Sequence, residues 1–143
     1  MYAKGHYYLY KKKNPFKHLI YPLPNSNGHG IHAGMDIENN LRFGPNAKWV
    51  DSIEYSFDEN TLDEFCNSIK SYWINFDPSC LTPDYTGIRS KTVAEGEGSQ
   101  DFEILDASDH GLENLIHLQG IDSPGLTSSL SIAAEVMSKL GIH

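Results

Sequence analysis

Two side chains and one stretch of backbone in this chain have the type and setting to do chemistry. His32 sits in Ile31-His32-Ala33-Gly34-Met35-Asp36-Ile37-Glu38, where Ile31, Ala33, Met35 and Ile37 alternate with polar or small residues. That period of two describes a half-buried strand and puts His32 on the face opposite the apolar residues, beside Gly34. A strand glycine leaves room for a ligand, and an imidazole exchanges protons near neutral pH without special tuning. His32 reads either as a proton acceptor or substrate ligand, or as a strand histidine facing solvent. Arg89 follows Gly87-Ile88 in the strand-like run Tyr85–Lys91. A guanidinium in that setting clamps a carboxylate through two parallel hydrogen bonds; the alternative is a surface or salt-bridged arginine.

The backbone stretch is Gln119-Gly120-Ile121-Asp122-Ser123-Pro124-Gly125-Leu126-Thr127. Leu115–Leu118 reads as a short buried strand, Ser123 as an N-cap and Pro124 as the first helical residue. Leu126, Leu130, Ala133, Met137 and Leu140 recur at helical spacing, and Gly141 fits a stop. A strand, a glycine turn and a helix start would aim unpaired amides at an anion or an electron-rich carbonyl; an ordinary strand-to-helix connection has the same pattern. Two other candidates fail. Gly28-His29-Gly30 lacks the last glycine and the βαβ setting of a dinucleotide fingerprint. His29 and His32 have no third ligand at convincing spacing, so no metal site is expected.

The elements that must hold these residues are mostly strands. His6–Lys12 and His18–Tyr21 read as strands, the second stopped by Pro22-Leu23-Pro24, with Asn25–Gly28 a loop. Ile31–Glu38 turns through Asn39-Asn40 into Leu41–Phe43, an antiparallel hairpin ended by Gly44-Pro45-Asn46. A helix capped by Asp58 or Asn60 runs to about Trp73, burying Leu62, Phe65, Cys66, Ile69, Tyr72 and Trp73. Leu81–Asp84 reads as a loop, Glu95–Gln100 as a mobile acidic loop, Phe102–Leu105 as a strand and Asp109-His110-Gly111 as a turn. The expected class is α+β with a mainly antiparallel sheet, one mid-chain helix and a carboxyl-terminal helix.

The 39% hydrophobic content over 143 residues suffices for one core. A net charge of -8, with only Lys11-Lys12-Lys13 as a basic cluster, argues against nucleic acid. Cys66 and Cys80 lack metal or redox spacing. No run reaches the ~18 apolar residues of a membrane span and no secretory signal is visible, so the expected location is cytoplasmic, with attachment to the inner face of a membrane as a variant.

Six blocks in order carry a resemblance: Leu19–Pro24, Gly30–His32, Phe43–Ala47, Asp84–Lys91, Gly111–Ile116 and Gly120–Thr127. Together they resemble the carboxyl-terminal portion of FAD-dependent oxidoreductases of the D-amino-acid-oxidase-like superfamily, and within it the L-2-hydroxyglutarate dehydrogenase/oxidase group. The resemblance implies a single domain over 1–143, with residues to about 112 in a substrate-domain sheet and about 113–143 in the FAD-binding part. It implies that Gly120, Ser123, Pro124, Gly125, Leu126 and Thr127 contact FAD, that Arg89 and secondarily Lys91 bind the anionic groups of a dicarboxylate or 2-hydroxy acid, and that His32 takes the hydroxyl proton. Ser90 stands where the group would have proline.

The strand, GxGxxG turn and helix that open this family's fold do not precede Met1. The resemblance therefore implies a complementary amino-terminal FAD-binding chain, and the isolated chain is expected to bind FAD weakly or not at all. Competing readings are a non-catalytic remnant that self-associates as a homodimer, an amino-acid oxidase-type fragment, and an unrelated small-molecule binding domain.

Overall fold

The aromatic run at the amino terminus is the axis of the larger sheet. The computed structural model describes residues 1–23, 30–98 and 101–142, which leaves the loop expected at Asn25–Gly28, His29 and the end of the acidic loop at Ser99-Gln100 outside the described residues. Strand β1 (Tyr2–Tyr10) starts before the expected His6, and its extra residues pair rather than fray. Strands β2 (Ala33–Met35) and β3 (Leu41–Phe43) form the expected antiparallel hairpin, with Gly34 opposite Arg42. The strand expected to reach Glu38 stops at Met35, because Asp36 accepts the backbone N–H groups of Glu38 and Asn40 and closes the turn early. Asn39 takes the left-handed φ of 63° that asparagine tolerates, and Ile37 is left fully exposed. The strand expected at His18–Tyr21 reduces to one bridge, Ile20 to Ala33.

Strand β4 (Lys48–Val50), not legible beforehand, continues β3 along the same edge of β1. Tyr8 faces Phe43 and Lys4 faces Lys48, so four steps on β1 match five on its partner. The extra residue is a bulge at Gly44-Pro45-Asn46. Asn46 Oδ1 accepts the backbone N–H of His6 at 2.9 Å and lies 3.0 Å from its Nδ1. A Cβ on Gly44, whose φ is 141°, would stand 2.6 Å from the His6 carbonyl oxygen. The Gly-Pro-Asn block is thus a device for re-aiming an edge strand. Strand β5 (Leu81–Ser90) pairs with β1 and includes Leu81–Asp84, expected as loop. Lys11 donates its backbone N–H to the Cys80 carbonyl and Thr82 Oγ1 donates to the Leu9 carbonyl, so β5 runs antiparallel to β1.

One face of this sheet is the core. Tyr8, Tyr10, Ala33, Leu41 and Phe43 pack with Phe65, Cys66 and Ile69 of helix α1 (Leu62–Lys70). Asp58 caps the entry by accepting the N–H of Asn60, and a 3-10 turn at Glu59–Thr61 precedes the helix. Tyr72 and Trp73 lie beyond the helix end yet still pack as expected: Tyr72 Oη donates to the Ile31 carbonyl at 2.9 Å and the Trp73 ring sits 5.0 Å from Tyr10. Leu62, expected inside, is exposed at the helix start.

Asp58 yields a measurable consequence. Lys48, with the N–H and amide of Asn60, holds its carboxyl down at about 2, against an ordinary 3.8. A depressed folded value means that the stabilisation is complete above the unfolded pKa and is lost as pH falls towards 2. Asp58→Asn keeps an oxygen for the cap but removes the charge. Its urea midpoint should fall less steeply between pH 4 and 2 than that of the parent; identical slopes would refute the assignment.

The chain divides into two compact units, Tyr2–Arg89 and Ser90–His143 with Met1. The division precedes the boundary expected near 112, because the strands on either side of that position pair with each other. In the second unit β6 (Glu103–Leu105) and β7 (His117–Gln119) form a two-stranded antiparallel ladder. Helix α2 (Ala107–His110), where a turn was expected, is closed by a capping box from Asp106 and Asp109 and ends at Gly111 with φ 76°. The buried strand expected at Leu115–Leu118 is corrected on both counts: β7 begins at His117, and Leu115 and Leu118 are exposed, since a two-stranded ladder supplies no second layer to cover them.

Helix α3 (Ser129–Lys139) also begins later than expected. Ser123 does not cap it and Pro124 is not its first residue. The Pro124 carbonyl is instead taken by the N–H of Ser128 and by the hydroxyls of Thr127 and Ser128, which winds Pro124–Ser128 into turns. The stop at Gly141 is as expected: its φ is 69°, Gly141 N–H reaches Ser138 and Ile142 N–H reaches Met137, a Schellman closure.

Candidate functional site

The sheet face away from α1 collects the candidate side chains of the first unit. Leu9, Arg42 and Gly34 are cross-strand neighbours, so they share a face. Alternation places His32 with Gly34 and Tyr7 with Leu9. Tyr7 stacks on Tyr85 at 4.5 Å and 15°, and alternation along β5 then puts Gly87 and Arg89 on this face too. His32 and Arg89, chosen separately from sequence, therefore lie on one face of one sheet. Two glycines keep that face low: a Cβ on Gly34 would meet only the Arg42 carbonyl at 3.9 Å, and one on Gly87 would meet nothing within 4 Å.

The two arginines on this face are in opposite states. Arg42 is held by Asp84 and Asp36, which push its guanidinium pKa upward. Asn40, together with Arg42, draws Asp36 down to about 2. Arg89 is half-buried and makes no hydrogen bond or ion pair among the described residues. An anion arriving on this face meets one guanidinium already neutralised and one with its donors open. The His32 ring lies 4.4 Å from the ring of Tyr21, edge to face, which restricts its orientation, and its carbonyl accepts the N–H of Gly44. The Arg42 pairings and the Tyr7–Tyr85 stack were missed in sequence. The β2–β3 register could have shown Arg42 opposite Gly34; nothing local announces that residues 7 and 85 meet.

The other candidates belong to the second unit. Lys91 Nζ is paired with Asp122, so its charge is already matched. Gly120 takes a left-handed φ of 65°. Gly125 is buried, and a Cβ there would stand 2.6 Å from the Asp122 carbonyl oxygen and 2.7 Å from Ile121 Cγ2. Only glycine allows the backbone to fold this closely, and the residues that follow, Leu126 and Thr127, are pushed into the open. Among the described residues neither of their N–H groups finds an acceptor. The donors are supplied by a turn that precedes α3, not by the first turn of the helix itself.

Residues 1–139 match the family described as FAD dependent oxidoreductase. The chain belongs to that family. Among curated relatives of this flavoenzyme family, L-2-hydroxyglutarate dehydrogenase, mitochondrial, of Arabidopsis thaliana is 33% identical over 96% of the chain and 31% of its own length. Glycerol 3-phosphate oxidase of Mycoplasma genitalium is 30% identical over 97% of the chain and 36% of its own length. The dithionite-reduced, FAD-bound L-alpha-glycerophosphate oxidase of Mycoplasma pneumoniae superposes with a TM-score of 0.75 at 18% identity, covering 99% of the chain and 36% of that structure. The chain thus spans about a third of the length of the family members it matches, and its α+β fold is theirs. FAD is the cofactor of this family by that likeness. The exposed, unaccepted amides of Leu126 and Thr127 fit a group whose rim is a row of carbonyl and ring-nitrogen acceptors. No helix among the described residues is long and apolar enough to cross a membrane.

Proposed function

We propose that this chain is the substrate-binding third of a flavoenzyme that oxidises a 2-hydroxy acid of the 2-hydroxyglutarate kind to the 2-oxo acid. The observation that carries this reading is the open guanidinium of Arg89 on the same sheet face as His32, above two glycines. Arg89 would clamp a carboxylate of the substrate through its two-pronged fork. The His32 imidazole accepts the hydroxyl proton as the carbon gives up its hydride, and the substrate leaves with a C=O in place of CH–OH. Lys91, already neutralised by Asp122, is the lesser anion partner. FAD, when bound, supplies the two-electron acceptor. Gly120, Ser123, Pro124, Gly125, Leu126 and Thr127 would hold it, and the open amides of Leu126 and Thr127 would offer hydrogen-bond donors to its acceptor atoms. Most of the cofactor's binding surface belongs to the family's remaining two-thirds, so the chain alone is expected to purify colourless.

A second reading is a glycerol 3-phosphate oxidase, favoured by the likeness to that enzyme of Mycoplasma genitalium; a guanidinium fork suits phosphate as well as carboxylate. One assay separates them. The chain is assembled with the portion of the Arabidopsis relative that it does not match and loaded with FAD. Dye reduction is then followed with L-2-hydroxyglutarate, glycerol 3-phosphate and amino acids. Fastest turnover with L-2-hydroxyglutarate is expected; turnover with glycerol 3-phosphate or an amino acid alone overturns the substrate assignment.

A further inference from the structure

Residues 20–22 lie across residues 30–33 as a strap, although they join the sheet through a single bridge. Ile20 and Ala33 exchange both backbone hydrogen bonds at 3.0 Å. Pro22 packs on Gly30, where a Cβ would stand 2.9 Å from Pro22 Cγ and where the φ of 75° also suits glycine. Between these two anchors the Tyr21 ring meets the His32 imidazole edge to face, 4.4 Å away. Tyr21 keeps 64% of its surface open, and its hydroxyl makes no hydrogen bond among the described residues. A ring so exposed adds little to the core, so its seat against His32 needs another account. The main chain under the imidazole is fixed from other directions. Tyr72 Oη donates to the Ile31 carbonyl at 2.9 Å, Gly44 N–H donates to the His32 carbonyl at 3.0 Å, and Ile20 N–H donates to the Ala33 carbonyl. With consecutive carbonyls held, the freedom left to His32 is rotation of its side chain about the χ bonds. A base that rotates away from its substrate loses the geometry of proton transfer.

We infer that Tyr21 is a positioning residue: its ring, carried by the strap, fixes the rotamer in which the His32 imidazole faces the substrate. This inference rests on the reading of His32 as the proton acceptor and adds to it the side chain that aims the base. Tyr21 acts through His32 and moves no proton itself, so the aromatic ring matters and the hydroxyl does not. It also gives the strap a task. Ile20 and Pro22 tie down either end of a three-residue segment whose middle side chain is held against the imidazole and otherwise left open.

The test uses Tyr21→Leu and Tyr21→Phe, and Tyr21→Leu combined with His32→Gln. Each is made in the full chain alone and in the FAD-loaded enzyme assembled with the portion of the Arabidopsis relative that the chain does not match. In the isolated chain, the His32 ring-proton resonances should move in Tyr21→Leu, as the neighbouring ring current is lost, and stay near the parent's in Tyr21→Phe. Thermal unfolding should match the parent in both, since the position is exposed. In the assembled enzyme, Tyr21→Leu should lower kcat for L-2-hydroxyglutarate about ten- to a hundredfold, the effect of a misplaced catalytic group, with KM within about twofold of the parent's. Tyr21→Phe should keep most of the parent's kcat. The double variant should be no slower than His32→Gln alone, because a residue that acts through the imidazole has nothing to aim once it is gone. Parent kcat in Tyr21→Leu, an equal loss in Tyr21→Phe, a change confined to KM, or additive losses in the double variant each overturn the inference. Failure of the reading beneath it looks different. If His32→Gln keeps the parent's rate, or the assembled enzyme oxidises no 2-hydroxy acid, the base reading falls. The ring resonances then decide alone: moved in Tyr21→Leu, they leave Tyr21 as the residue that orients His32; unmoved, they remove that role as well.

Discussion

Arg89→Ala, in the assembled FAD-loaded enzyme, should lower kcat/KM for L-2-hydroxyglutarate by about a thousandfold. A bidentate guanidinium–carboxylate pair makes two charge-assisted hydrogen bonds worth about 1.5–3 kcal/mol each, and about 1.4 kcal/mol is a factor of ten. Arg89→Lys keeps the charge but loses the fork, so it should recover only part of the loss. Inhibition by glutarate, which has the carboxylates without the hydroxyl, should weaken in parallel, since the defect lies in anion binding. Stability should scarcely move, because the guanidinium makes no hydrogen bond or ion pair among the described residues. Arg42→Lys is the control. That side chain is committed to Asp36 and Asp84, so its replacement should act on unfolding more than on KM. Undiminished kcat/KM in Arg89→Ala would remove this residue from the site.

His32→Gln should lower kcat by about a hundred to ten thousandfold, the usual span for loss of a positioned general base, with KM close to the parent's because Arg89 still holds the carboxylate. The pH profile separates a base from a merely structural residue. An imidazole must be unprotonated to accept the hydroxyl proton, so kcat/KM of the parent should decline on the acid side, and His32→Gln should lose that decline. A variant that retains both the parent's rate and its acid limb would assign the proton to another group.

The part of this fold that reads directly from sequence is local. The β2–β3 hairpin is specified by neighbours: Asn39 accepts a left-handed φ, and the residues on either side need only fold back a few positions. The buried stripe of α1 follows from spacing, and Gly141 ends α3 because only a residue free of a Cβ adopts its φ at no cost. The choice of His32 and Arg89 as candidates also came from local pattern, a histidine opposite an apolar strand face and an arginine beside a glycine. Their presence on one face did not. It required the register of β5 on β1, which joins residues some eighty positions apart.

The sequence alone determined which segments turn, which alternate and where one helix stops, because those outcomes depend on backbone preferences and side-chain spacing within a few residues. Tertiary structure decided the rest. It made β3 and β4 two lengths of one bulged edge through Asn46 and His6, and it opposed the two arginines by giving Asp36 and Asp84 to only one of them. It also started α3 at Ser129, with its outer leucines open. The last point has the plainest physical cause: helical spacing records that a stripe was made to be buried, but only the presence of a second surface buries it.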